Sequence, residues 1–165
     1  MKYLLINRHA KSSFPGININ DCERPLNEKG FHDASVMGKR LHEKQISFDL
    51  MLSSTAIRAL TTCQLIAAEI EYSLEAILTN KDIYGADATL IKKIISNTDS
   101  DKVESLSVFG HNPALHMLAE EMSGRKIERF SECSMLYVRF NTDKWSNAFN
   151  KGREIVFLDS PENRN

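Results

Sequence analysis

The sequence predicts an α/β fold: a three-layer sandwich in which a mostly parallel central sheet carries helices on both faces. Two observations lead to it. Short apolar runs of strand length alternate along the chain with longer segments of helical periodicity. Cap and breaker residues (Asn27, Asp87, Asn112-Pro113, Gly124) fall at the joins. The chain has 165 residues and shows neither an internal repeat nor a linker, so one domain is expected over 1–160. The polar residues 161–165 read as a frayed tail.

Tyr3 to Asn7 is an apolar run suited to a buried strand. Residues 11–26 carry serines, asparagines, Pro15, Gly16 and Pro25 and read as a long loop, a feature that compact domains tend to keep for function. Asn27 can cap a helix to about Lys44, with Phe31, Ala34, Gly38 and Leu41 on one face. Leu50 to Leu52 is a second buried strand. A helix from Thr55 to Glu69 places Leu60, Cys63, Ala67 and Ile70 on its apolar side. Leu74 to Leu78 reads as a third strand. Asp87 to Ser96 spaces Leu90, Ile91, Ile94 and Ile95 as a helix does. Leu106 to Phe109 is a strand. Asn112 to Met122 is a helix that Gly124 can end, with Asn112 as N-cap and Pro113 in the first turn. Met135 to Phe140 and Glu154 to Leu158 are two late strands.

Composition excludes several classes. The chain is 42% hydrophobic and 26% charged, with a net charge of −1, so no basic surplus draws it to nucleic acid or to an anionic membrane. No run approaches the ~20 apolar residues of a membrane span. Cys22, Cys63 and Cys133 show neither metal-ligand spacing nor a disulfide framework, which fits a reducing, cytoplasmic setting. The histidine spacings hold no zinc motif, and neither a metal nor another cofactor is expected.

In a parallel sheet the ligand site lies beyond the carboxyl ends of the strands. Three such exits carry chemistry: Arg8-His9-Ala10, Ser53-Ser54 with Arg58 in the next helix, and Gly110-His111-Asn112-Pro113. The match is a phosphoryl group. Arginine forks grip its oxygens, a neutral histidine can attack phosphorus, and a second can donate to the oxygens. Any one of these residues alone is more often structural. His32, His42 and His116 lie within helices and read as surface residues. Cys133 and Arg139 match the Cys-x5-Arg spacing of cysteine phosphatases, but the residues between them alternate like a strand and contain no phosphate-cradling glycine.

Arg8-His9-Ala10, Ser53-Ser54-x-x-x-Arg58-Ala59-x-x-Thr62 and Gly110-His111-Asn112 together resemble the histidine phosphatase superfamily, of phosphoglycerate-mutase-like fold. Arg8-His9-Ala10-Lys11-Ser12 and Arg24-Pro25-Leu26-Asn27-Glu28-Lys29-Gly30 resemble its small SixA-type phosphohistidine phosphatase branch. The resemblance implies that His9 is phosphorylated transiently, and that Arg8, Arg58 and His111 hold the phosphoryl oxygens. Arg24 and Ser12 from the long loop would add phosphate contacts, with a surface salt bridge the alternative for Arg24. Larger members carry a carboxylate general acid after the third strand. Here Asp82 is the first choice and Asp87 the second, though Asp87 equally suits a helix N-cap. A phosphohistidine leaving group needs little acid help, whereas losing a general acid on an alkoxide typically costs ~10²–10⁴ in rate. The expected partner is a phosphate-bearing substrate, with a phosphohistidine protein favoured. The rival readings are a small-molecule phosphomonoesterase on the same scaffold and a non-catalytic phosphate- or phosphoprotein-binding module.

Overall fold

The computed structural model describes residues 1–14, 19–98 and 102–163. Strands β1 (Lys2–Arg8), β2 (Leu50–Ser53), β3 (Leu78–Thr79), β4 (Ser105–Gly110), β5 (Met135–Phe140) and β6 (Arg153–Asp159) form one sheet in the order β3-β2-β4-β1-β5-β6. β5 runs antiparallel to both its neighbours, β1 and β6, while β3, β2, β4 and β1 pair in parallel. The sheet is therefore mostly parallel, as expected.

Alternation along β1 splits the core. Leu4 and Ile6 face one layer and Leu5 the other, because successive strand side chains point to opposite faces. On the Leu4 side lie α3 (Ala88–Ser96), α4 (Ala114–Ser123) and a 3-10 turn (Trp145–Asn150) with Ile91, Leu115, Leu118 and Trp145. On the Leu5 side lie α1 (Glu28–Glu43) and α2 (Ile57–Glu69) with Met37, Leu41, Cys63 and Ile66. That is the three-layer sandwich. Among the described residues, no helix is long and apolar enough to cross a membrane.

Local chemistry sets most boundaries. Asn27 caps α1 by accepting from the Gly30 N–H at 2.9 Å, and Asp87 caps α3 by accepting from the Leu90 N–H at 2.7 Å. Gly124 ends α4 in the left-handed conformation. Asp87 thus takes the N-cap alternative, though it also borders the cleft described below.

Several expectations shift. Leu74 to Leu78 is not a continuous strand: Leu74–Ala76 makes a 3-10 turn, and β3 is Leu78–Thr79, with Leu78 exposed at the sheet edge. Most of the expected faces of α1 and α2 is buried (Ala34, Gly38 and Leu41; Cys63 and Ala67), and the differences lie at their edges. Phe31 is exposed while Asp33 and Met37 are buried, and Ala59, Thr62 and Ile66 sit inside where Leu60 does not. Asn112 does not cap α4. The Asn112-Pro113 peptide is cis, Pro113 holds the cap position, and the Asn112 amide donates to the Phe130 carbonyl at 2.9 Å. His116 is half-buried and donates to the Ile127 carbonyl at 2.7 Å. The loop reading at 15–18 and the tail at 164–165 lie outside the described residues. The tail before them is tied down, since Arg40 donates to the carbonyls of Ser160 and Asn163.

Candidate active site

Register aligns the three strand exits. Arg8 pairs with Gly110, and Ser53 with Phe109, so His9, Ser54 and His111 each stand one residue past a strand end on adjacent strands. The ladder continues one step beyond the strands: the His9 N–H donates to the Gly110 carbonyl at 3.0 Å and the Ser54 N–H to the Phe109 carbonyl at 2.9 Å. Neighbouring strands sit ~4.8 Å apart. The His9 and His111 ring centroids are accordingly 5.2 Å apart, tilted by 55°.

The His9 ring has a defined tautomer. Nδ1 lies 2.7 Å from the Ala10 carbonyl, and a carbonyl can only accept, so Nδ1 carries the proton. Nε2 is left with its lone pair, which accepts from Arg58 Nε at 3.3 Å. Thr62 fixes this corner. Its hydroxyl accepts from the Ala10 N–H at 2.9 Å and donates to the Arg58 carbonyl at 2.6 Å, one turn back on α2. Burial pushes the His9 pKa down to about 4, helped by the Arg58 and Arg8 charges against the Ala10 carbonyl and Glu132.

His111 shares a hydrogen bond with Ser54 Oγ through Nε2 at 2.8 Å, while its buried Nδ1 has no partner among the described residues. Burial, with His9 and Arg58 nearby, pushes its pKa down to about 3. Both rings are therefore neutral at pH 7. Arg58 is almost fully buried in the first turn of α2. Arg8 faces the loop before β5, donating to the Phe130 carbonyl at 3.0 Å and lying 3.6 Å from Glu132; its buried Nε has no partner among the described residues. Burial holds the Arg8 pKa below its ordinary value.

Beside these residues opens a cleft of about 520 Å³, bordered by Asp21, Arg58, Tyr84, Asp87, His111 and Met117. Of the remaining sequence-chosen residues, Asp82 lies elsewhere, while Arg24 and Ser12 are engaged with each other in the loop that carries Asp21. Asp82 borders a separate groove with Leu52 and Lys93, because the 3-10 turn Lys81–Ile83 buries Ile83 in the core and turns Asp82 away. Arg24 is spent inside the loop, on Ser12 Oγ at 2.9 Å, the Ser13 carbonyl and Asp21 Oδ1 at 3.0 Å. Ser12 is correspondingly Arg24's acceptor and bridges to Leu26.

Sequence reasoning missed Asp21 and Tyr84. Asp21 Oδ2 accepts from an Arg58 terminal nitrogen and from the Tyr84 hydroxyl, both at 2.8 Å. Tyr84, Arg24 and Arg58 hold its pKa far below the usual carboxylate range. Tyr84 also packs edge-on to His111 at 5.5 Å. The Asp-x-x-Arg spacing in a long loop is the one sequence signal for Asp21. Cys133 is buried in a left-handed turn, its thiol pushed up by burial, while Arg139, on the same side of the sheet, is exposed near the far end of β5 and paired with Glu154, so the two do not meet.

Two histidines and two arginines lie together beyond the carboxyl ends of the mostly parallel sheet of this α/β protein, an arrangement whose chemistry suits a tetrahedral oxyanion. The chain belongs to the histidine phosphatase superfamily: the model of that superfamily's branch 1 matches residues 4–83. An uncharacterised chloroplastic protein of Arabidopsis thaliana is 26% identical over 153 residues, covering 88% of this chain and 70% of its own. An uncharacterised protein of Mycobacterium leprae is 33% identical over 123 residues, 71% of each chain. In fold, the chain matches a phosphohistidine phosphatase SixA candidate from Agrobacterium tumefaciens with a TM-score of 0.82 at 22% identity, over 97% of this chain and 98% of that one. It matches a protein histidine phosphatase SixA complexed with tungstate with a TM-score of 0.80 at 19% identity, over 96% and 97%.

Proposed function

We propose that the chain is a phosphatase that passes the phosphoryl group through His9, with phosphohistidine in a protein as its substrate. The observation that carries this is the His9 tautomer. Nδ1–H is fixed on the Ala10 carbonyl, and a neutral Nε2 lone pair faces the Arg58 guanidinium. Nε2 attacks phosphorus in line as the bond to the leaving nitrogen breaks, and that nitrogen takes a proton from water. Arg8, Arg58 and His111 stabilise the charge on the equatorial oxygens. Water then attacks the phosphoryl group on His9, Nε2 leaves with its electron pair, and inorganic phosphate is released.

The carboxylates around the cleft support the phosphohistidine substrate. Asp82 borders another groove, Asp87 is engaged in capping α3, and Asp21 is held ionised by three donors. None of the three stands free at the cleft to hand over a proton, so the chemistry suits a leaving imidazole better than an alkoxide. The two SixA-type fold matches favour the same substrate. The test is to trap a labelled, acid-labile phosphoenzyme from a phosphohistidine peptide, with phosphate monoesters assayed in parallel. Labelling in the wild type and none in His9→Ala is expected, with activity unchanged by EDTA. A His9→Ala variant of full activity overturns the mechanism; monoesters turned over orders of magnitude faster overturn the substrate.

A further inference from the structure

Asp21 spends much of Arg58's hydrogen-bonding capacity. Its Oδ2 accepts from one terminal nitrogen at 2.8 Å, its backbone carbonyl accepts from the other, and Arg58 Nε lies on His9 Nε2 at 3.3 Å. Every nitrogen of the guanidinium thus has an internal acceptor. Under the proposed function, the same nitrogens serve the phosphoryl oxygens. Carboxylate and phosphoryl groups are alternative anions for one guanidinium fork.

We propose that Asp21 is a built-in competitor of the phosphoryl group, a carboxylate that substrate displaces from Arg58 and that returns as inorganic phosphate leaves. The inference rests on the phosphatase reading. The surroundings of Asp21 suit displacement. Its side chain is 52% exposed, on the short turn Asp21–Glu23, so it can move without opening the core. Its other oxygen is held by Arg24 at 3.0 Å, and Arg24 is anchored on Ser12 Oγ and the Ser13 carbonyl. A carboxylate that lets go of Arg58 therefore keeps a cation, and does not become an unpaired charge beside a dianion. Its departure also frees the Tyr84 hydroxyl, which borders the same cleft. The consequence is a site whose affinity for phosphate is held down, which limits inhibition by product.

A fixed scaffold for Arg58 would demand the opposite sign, so a single substitution decides. Asp21→Asn keeps the side-chain shape and the backbone carbonyl contact but removes the charge. Calorimetric titration with inorganic phosphate should show about tenfold tighter binding in Asp21→Asn than in the wild type, the scale of one hydrogen bond to a charged group. Phosphate should inhibit turnover at a correspondingly lower concentration. Asp87→Asn is the control, since Asp87 borders the cleft without touching Arg58; its affinity should change by less than about twofold, as for a screened surface charge. Unchanged or weaker phosphate binding in Asp21→Asn overturns the proposal, as does an equal gain in Asp87→Asn. The failures separate cleanly: a protein that still forms the labelled phosphoenzyme while its phosphate affinity ignores Asp21 refutes the competitor and leaves the phosphatase reading standing.

Discussion

A histidine can act as a nucleophile at neutral pH only if one nitrogen is unprotonated and aimed. In His9 both conditions come from the backbone and from burial. The Ala10 carbonyl takes the Nδ1 proton, and burial with two nearby arginines keeps Nε2 bare. His111, with its pKa pushed down to about 3, is neutral for the same reasons. Of the five histidines in the chain, these two should keep neutral-ring NMR shifts at pH 5.5. A His9 midpoint near 6.5 would show that its ring is solvated and not held neutral by burial. The corner that holds the ring depends on Thr62, which touches no reacting atom. Thr62→Val keeps the shape but strips the Ala10 N–H of its acceptor and the Arg58 carbonyl of a donor. It should cost about 1–3 kcal/mol for the buried unpaired groups. It should also lower kcat more than it raises KM, because the carbonyl that orients His9 belongs to Ala10. Single-turnover rates alongside urea unfolding would measure both effects, and a change in stability alone would reduce Thr62 to packing.

Between elements, the site depends on close approach. The segment after β1 lies against the first turn of α1, where the Asn27 N–H donates to the Lys11 carbonyl at 3.0 Å. A Cβ on Gly30 would stand 2.1 Å from that carbonyl oxygen, too near for any side chain. Gly30→Ala should therefore push α1 off the His9–Lys11 segment, costing about 1–3 kcal/mol by overpacking. A Tm drop of about 2–4 °C for each kcal/mol lost is the readout. An unchanged Tm with full activity would mean that the helix shifts freely there. The same scale separates what the sequence made legible from what it did not. Strand exits are local: Arg8-His9, Ser53-Ser54 and Gly110-His111 each end an apolar run, and parallel pairing brings them side by side. Asp21 and Tyr84 are 63 residues apart and meet only through the path of two loops, which no periodicity encodes. Asp82 was misplaced because a 3-10 turn of three residues reversed its direction. The antiparallel direction of β5 was equally hidden, since an apolar run reads the same either way.

For the whole molecule, neutral buried histidines tie folding to pH. The unfolded chain binds a proton on each near ~6.5, whereas the folded chain resists until about 4 at His9 and about 3 at His111. A group whose folded pKa is depressed in this way favours the unfolded state once that state can protonate. Stability should therefore be complete above pH 6.5 and decline as pH falls from there toward 4. Each histidine contributes a slope of at most about 1.4 kcal/mol per pH unit. Asp21 adds no slope in that window, because its carboxyl is ionised in both states there; its contribution disappears only at much lower pH, where its depressed folded pKa lies. The interval from pH 6.5 to 5 lies between the unfolded and folded values of both rings. Urea midpoints measured there in phosphate-free buffer, since a bound oxyanion would stabilise the fold by mass action, should fall with pH in the wild type. In a His9→Asn, His111→Asn double variant, which cannot take up those protons, the midpoints should stay nearly flat. A wild-type midpoint that is level across the interval would mean that both rings remain open to water and that the site is not preorganised around neutral imidazoles.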